Sequence, residues 1–116
     1  SVSPDRNPPY ILMSDGSVRN SYTLKLRNME SRPREMEIEL QGLPGAVMWT
    51  DTIGREAAGR MQIKTVPADQ VLAVRAYVIV PEGADTEEFS FRVTSRDEQR
   101  ESVVTEARFD TPEGSE

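Results

Sequence analysis

The chemistry open to this chain is narrowed first by what it lacks, because its 116 residues include no histidine and no cysteine. Without histidine there is neither the usual general base of Ser-His-Asp and Cys-His catalysis nor the commonest neutral metal ligand. Without cysteine there is no disulfide, no thiolate metal site and no thiol nucleophile. Ser-x-x-Lys, Gly-x-Ser-x-Gly and the phosphate-cradling Gly-x-x-x-x-Gly-Lys are missing, and the glycines at 42, 45, 54 and 59 do not have dinucleotide-loop spacing. Carboxylates, methionines, aromatics and one polar set remain.

The chain has 20 acidic residues, from which a glycosidase-like pair would have to come. Glu35, Glu37 and Glu39, however, alternate with Met36, Ile38 and Leu40, which marks the wet face of a strand, and Glu87 with Glu88 borders a turn. Asp15, Asp51, Asp69 and Asp85 stand singly in separate turns, with no calcium-loop pattern. Met13, Met29, Met36, Met48 and Met61 offer thioethers to copper(I), but no Met-x-Met cluster occurs, and Met36 and Met61 read as core filler on apolar strand faces. A copper-binding sandwich is thus one alternative. A carbohydrate-binding sandwich is another, with Trp49, Tyr10, Tyr22 and Tyr77 to stack on sugars, although Tyr22 shares its strand face with Leu24 and Leu26 and so points inward.

The polar set lies in "DRNPPYILMSDGSVRNSYTLKLRN", residues 5 to 28. Asp15-Gly16 is a two-residue hairpin signal, since Gly tolerates the positive φ of a tight turn. Asn20 is suited to satisfying loose backbone groups with its amide, and Asp5 or Asp15 to pairing with Arg6 or Arg19. These residues read as fastenings between the entry segment and the first sheet. Arg75 and Tyr77 project together from an otherwise apolar strand, and with Trp49, a partly buried anchor after Gly-Leu-Pro-Gly, they form the expected interaction surface.

What must position these residues is legible from period and punctuation. Apolar residues recur at every second place in Tyr22-Leu24-Leu26, Met36-Ile38-Leu40, Met61-Ile63, Phe89-Phe91-Val93 and Val103-Thr105-Ala107-Phe109. The run from Val71 to Val80 is apolar on both faces except at Arg75 and Tyr77, and its β-branched residues favour a central strand. Ala46 to Trp49 is expected to form a short edge strand within the poorly patterned stretch from Gly42 to Gly59. Many short one-faced strands between regular turns predict an all-β fold, an immunoglobulin-like antiparallel β-sandwich of about seven to eight strands, with a small barrel as the alternative. The expected division is an extended proline-rich entry at 1–9, the sandwich at 10–110 and a flexible acidic tail at 111–116.

The formal charge of −6, with only Lys25 and Lys64 as lysines, disfavours nucleic-acid phosphates and anionic membrane surfaces as partners. No apolar run approaches the roughly 20 residues of a membrane span, so the stretch is expected to be soluble as it stands.

"DRNPPYILMSDGSVRNSYTLKLRNM", followed after a charged strand by "GLPGA", closely resembles the C-terminal domain of the FixG/CcoG family of cytochrome oxidase accessory proteins. The resemblance runs through Asp5, Arg6, Asn7 and Pro8, then Ser14, Asp15 and Gly16, then Arg19, Asn20 and Tyr22, the Leu24 to Leu26 strand, Asn28, and finally Gly42-Leu43-Pro44. It covers the first third or so of the chain by motif and the remainder by strand pattern.

Membership implies a periplasmic immunoglobulin-like domain of a larger bacterial inner-membrane protein associated with nitrogen-fixation genes. The 4Fe-4S clusters and membrane helices would lie in the other parts. The family is implicated in assembling the cbb-type haem-copper oxidase, in part by reducing copper. The resemblance therefore implies a module that is no enzyme, holds no cofactor or metal of its own and takes no nucleic acid. Its partners would be proteins of oxidase assembly, and its tether to the inner membrane would run through the missing part. The family-motif residues would be structural.

Overall fold

The computed structural model describes residues 1–4, 8–50, 54–83, 87–98 and 100–112. Among them run nine strands: β1 (Val2–Pro4), β2 (Ile11–Leu12), β3 (Val18–Asn28), β4 (Arg34–Gln41), β5 (Val47–Thr50), β6 (Met61–Val66), β7 (Gln70–Val80), β8 (Glu87–Ser95) and β9 (Ser102–Phe109). A single 3-10 turn, Arg55–Ala57, follows β5. The first sheet has the order β1-β3-β7-β5, with β2 also on β3, and the second has the order β6-β4-β8-β9. Every pairing is antiparallel. The count exceeds the expected seven or eight because β1 and β2, of three and two residues, are short additions along β3.

Alternation explains the layers. Along β3, Val18, Asn20, Tyr22, Leu24, Leu26 and Asn28 are buried while the residues between them are partly or fully exposed. Met36, Ile38 and Leu40 of β4 and Phe89 and Phe91 of β8 meet them from the second sheet, closing one core. Each of the apolar side chains contributes about 1.5–3 kcal/mol by leaving water. Tyr22 is the centre of an aromatic group, with its ring 5.6 Å from Phe89 and 5.3 Å from Phe91, both edge-on.

β7 is central, paired along its whole length with β3 and over Ala76 to Ile79 with β5, which is the edge strand expected before Gly54. In its first half, however, Val71 and Ala73 are exposed, so the doubly apolar pattern describes only the second half. β6 also departs from expectation. Met61 is 44% exposed, while Gln62 beside it is buried and its amide donates to the carbonyls of Met48 at 2.9 Å and Ala57 at 3.0 Å. The sheets need that donor at the edge where β5 and β6 approach, and it outweighs the apolar side chains beside it.

The hairpin before β3 has a three-residue loop, Ser14-Asp15-Gly16, in place of the expected two-residue turn. The Gly16 N–H donates to the Met13 carbonyl at 3.0 Å and the Met13 N–H to the Ser17 carbonyl at 2.8 Å, with Gly16 at φ +89°. That is a turn closed by a bulge at a left-handed glycine, and Asp15 keeps a negative φ.

Candidate functional site: polar fastenings and an outer arginine–aromatic face

The family-motif residues fall into places the sheet pattern dictates, and most of the described ones are used up by the fold. Asn20 and Tyr22 face inward two residues apart on β3, beneath the exit of β9. Asn20 Nδ2 donates to the Asp110 carbonyl at 2.9 Å, and the Asp110 N–H donates to Asn20 Oδ1 at 2.9 Å. The Tyr22 hydroxyl donates to the Arg108 carbonyl at 2.7 Å. Burial, and then Asp110 nearby, push the Tyr22 hydroxyl pKa far above its usual value. Thr111, placed in the tail by the sequence, is fully buried beyond this clasp.

Asn28, at the other end of β3 and also fully buried, ties two turns together. Its Nδ2 lies 2.7 Å from the Arg32 carbonyl and 3.1 Å from those of Val66 and Pro67, and its Oδ1 accepts from the Glu30 N–H at 3.0 Å. Gly42 turns the chain after β4 at φ +90°, and Leu43 follows at φ +51°. The Arg60 guanidinium gathers the loop's carbonyls, reaching Gly42 at 2.7 Å, Leu43 at 2.8 Å, and Leu40 and Ala46 at 3.2 Å. Ser14 is exposed in the hairpin loop, and Pro8 is exposed at its own position in the entry segment.

Of the pairings open to Asp5 or Asp15 with Arg6 or Arg19, the one between Asp15 and Arg19 does not form, and the others involve residues outside the described ones. Asp15 accepts from Ser17, from the backbone N–H at 2.9 Å and from the hydroxyl at 2.5 Å, and these two bonds hold its carboxyl below the usual range. Asp15 is thereby committed to its own loop. Arg19 instead lies over the Tyr77 ring, 5.2 Å from the centroid, with its Nε buried and without a hydrogen-bond partner. Nor does Asn20 fasten the entry segment: its partner is the far end of the domain. Asp5, Arg6 and Asn7 lie outside the described residues.

Trp49, Arg75 and Tyr77 do come together, on the outer face of the first sheet. Trp49 and Tyr77 are register partners on β5 and β7 and stack at 5.5 Å and 23°. Arg55 covers the Trp49 ring at 5.4 Å, and Arg75 approaches Tyr77 at 5.6 Å. Trp49 is only 8% exposed, so the accessible part of this face is arginine and tyrosine edge.

Sequence reasoning missed the ion cluster at the pole where β4 begins. Arg34 donates to Asp97 at 2.7 Å and to Glu101 at 2.9 Å, and Arg32 reaches Asp97 at 3.0 Å. The Arg34 bond above all, then those from Arg32 and Ser95, holds the Asp97 carboxyl well below the usual range. A lone inward-parity arginine at the start of β4 was the available signal. Beside this cluster, between β3 and β9, the sheets leave a cavity of about 230 Å³ lined by Leu24, Leu26, Met36, Val93 and Val103. Among the described residues no group of three His, Cys, Asp or Glu side chains is placed to hold a metal, and no helix is long and apolar enough to cross a membrane.

Two antiparallel sheets packed face to face, with polar side chains fastening strand ends, define an immunoglobulin-like sandwich module. The chain belongs to the family described as "IG-like fold at C-terminal of FixG", whose sequence model matches residues 1–112. Nitrogen fixation protein FixG of Rhizobium meliloti (strain 1021) is 34% identical over 113 residues, covering 93% of this chain and 21% of FixG. Protein RdxB of Cereibacter sphaeroides is 33% identical over 87 residues, covering 75% of this chain and 17% of RdxB. The chain therefore spans about a fifth of the length of these curated relatives. The crystal structure of a FixG-related protein from Vibrio parahaemolyticus shares the fold at a TM-score of 0.76 and 22% identity, covering 97% of this chain and 94% of that one.

Proposed function

We propose that this chain is a non-catalytic interaction and assembly module of a larger FixG-type protein, standing on the periplasmic side of the inner membrane. In this reading the rest of the protein carries the iron–sulfur clusters and the copper chemistry. The module docks proteins that assemble the cbb-type oxidase. The observation that carries the proposal is the match of residues 1–112 to the C-terminal module of FixG, a protein whose remaining length leaves room for the redox parts. The family description calls FixG a candidate oxidoreductase, a label that fits the whole protein better than a module without histidine or cysteine.

Spent polarity supports the same reading. Asn20, Tyr22 and Asn28 turn their polar atoms to backbone groups of the fold, which leaves the outer sheet faces as what the module offers to others. Co-purification from membranes, with the full-length protein carrying or lacking this module, tests the proposal. Loss of partner proteins together with loss of assembled oxidase is expected on deletion. Unchanged recovery of both overturns it.

A further inference from the structure

The acidic residues of the strands are confined to one sheet. The described strands β1, β2, β3, β5 and β7 contain no Asp or Glu at all, whereas β4, β8 and β9 carry six. The first sheet nevertheless presents Arg19, Lys25 and Arg27 on β3 and Arg75 on β7. A chain of net charge −6 thus has one sheet whose strands are charged only positively. Ion pairs among the described residues are formed by Arg32, Arg34, Arg96 and Arg108, and none by Arg19, Lys25 or Arg27.

The spacing of these cations is that of an extended chain. Arg19 and Arg27 are about 27 Å apart along β3 at ~3.4 Å per residue, and Arg75 stands beside Thr23, between them. Lys25 and Arg27 are one strand repeat apart, about 7 Å, the separation of carboxylates at alternate positions of an extended peptide. At the Arg19 end lies a small cavity of about 90 Å³ lined by Pro8, Tyr10, Arg19, Ser21 and Arg75.

We infer that the outer face of β3 and β7 binds an acidic, extended segment of a partner protein, with carboxylates at alternating positions along Lys25 and Arg27 and one carboxylate seated beside Arg19 and Ser21. The inference rests on the docking role proposed above and names its surface. A protein segment fits this face better than an anionic membrane does. Trp49 is buried and Tyr77 is roofed by guanidinium groups, so neither of these two rings projects to enter a bilayer. The net charge of the chain repels an extended anionic surface, while a narrow segment feels chiefly the face within a Debye length of about 8–10 Å.

The test is a titration of the isotope-labelled chain with a short peptide of alternating Glu and Val, followed by NMR at low salt, with the Gln-Val peptide as control. Module-sized relatives fold as separate chains, as the Vibrio parahaemolyticus structure shows. Shifts at Ser21, Lys25, Arg27, Ala73 and Tyr77, weakened about tenfold in R19Q/K25Q/R27Q and unaffected by R92Q on the opposite face, are expected. Circular dichroism confirms that the triple variant folds. Shifts confined to β4 and β8, equal binding of the Gln-Val peptide, no binding at all, or binding only to phosphatidylglycerol vesicles each overturn the inference. In the full-length protein, partner loss on module deletion but not in R19Q/K25Q/R27Q removes this face and leaves the docking role standing.

Discussion

The side-chain amide of Asn20 grips the main chain of Asp110 on both its polar groups, donating to the carbonyl and accepting from the N–H at 2.9 Å each, across 90 residues of sequence. The first long strand thereby holds the exit of the last one, in the other sheet. Removing the amide leaves a donor and an acceptor unpaired where water has poor access, at about 1–3 kcal/mol for each. Asn20→Ala is expected to lower the urea midpoint accordingly and to expose the chain after Phe109 to proteases. Asn20→Asp, which keeps one acceptor and loses the donor, should recover only part of the loss. A denaturation series on the three proteins checks this, and equal midpoints would show that the clasp is dispensable.

Tyr22 gives the same region a pH dependence. Its pKa is raised in the folded state, so the stability it confers is fully present below the unfolded value of about 10 and is lost as pH rises above it. Tyr22→Phe is expected to be less stable at neutral pH by about 1–3 kcal/mol, because the Arg108 carbonyl loses its donor. The gap between the two proteins should narrow above pH ~10, where the tyrosine in the unfolded chain ionises and favours unfolding. Equilibrium denaturation at several alkaline pH values separates this from a loss of packing alone, which would keep the gap constant.

The sandwich was readable because period two survives wherever one face is dry: β3 and β4 carry it without interruption, and β8 carries it through Phe89 and Phe91. It failed on β6, where the inward place is taken by Gln62, a residue whose polarity says nothing of burial until its two carbonyl partners are seen. Asn20 was legible as a backbone-satisfying residue, but not what it satisfies, since local spacing holds no record of a partner at position 110. The outer arginine–aromatic face was half visible. Arg75 and Tyr77 stand out along one strand, whereas Arg19 and Arg55 join them only through strand pairing and a turn.

Asp97 predicts an acid limb. Arg34, Arg32 and Ser95 hold its folded-state pKa well below the unfolded value of about 3.9. Its contribution is therefore complete above pH ~4 and lost as pH falls below that, toward the folded value. Asp97→Asn should be less stable than the parent at neutral pH, with the difference shrinking below pH ~4. Thermal melts of both proteins from neutral to strongly acid pH measure it. A difference that stays constant through that range would mean the charge on Asp97 is not what matters.

Trp49 reports on the outer face directly, since it is the chain's only tryptophan. Its ring is shielded on one side by Tyr77, stacked at 5.5 Å, and by Arg55 at 5.4 Å. Truncating Tyr77 removes the stacked neighbour and admits water. Tyr77→Ala is therefore expected to shift the emission to longer wavelength, to raise quenching by acrylamide, and to cost about 0.5–1.5 kcal/mol beyond the area lost. Arg55→Ala should raise the quenching with a smaller loss of stability, because a cation–π contact made by a solvent-exposed arginine is worth about 0.5–1 kcal/mol. If both variants kept the parent's emission and quenching, the shielding of Trp49 would have to come from the sheet beneath it, and neither residue could be assigned to holding the face in shape.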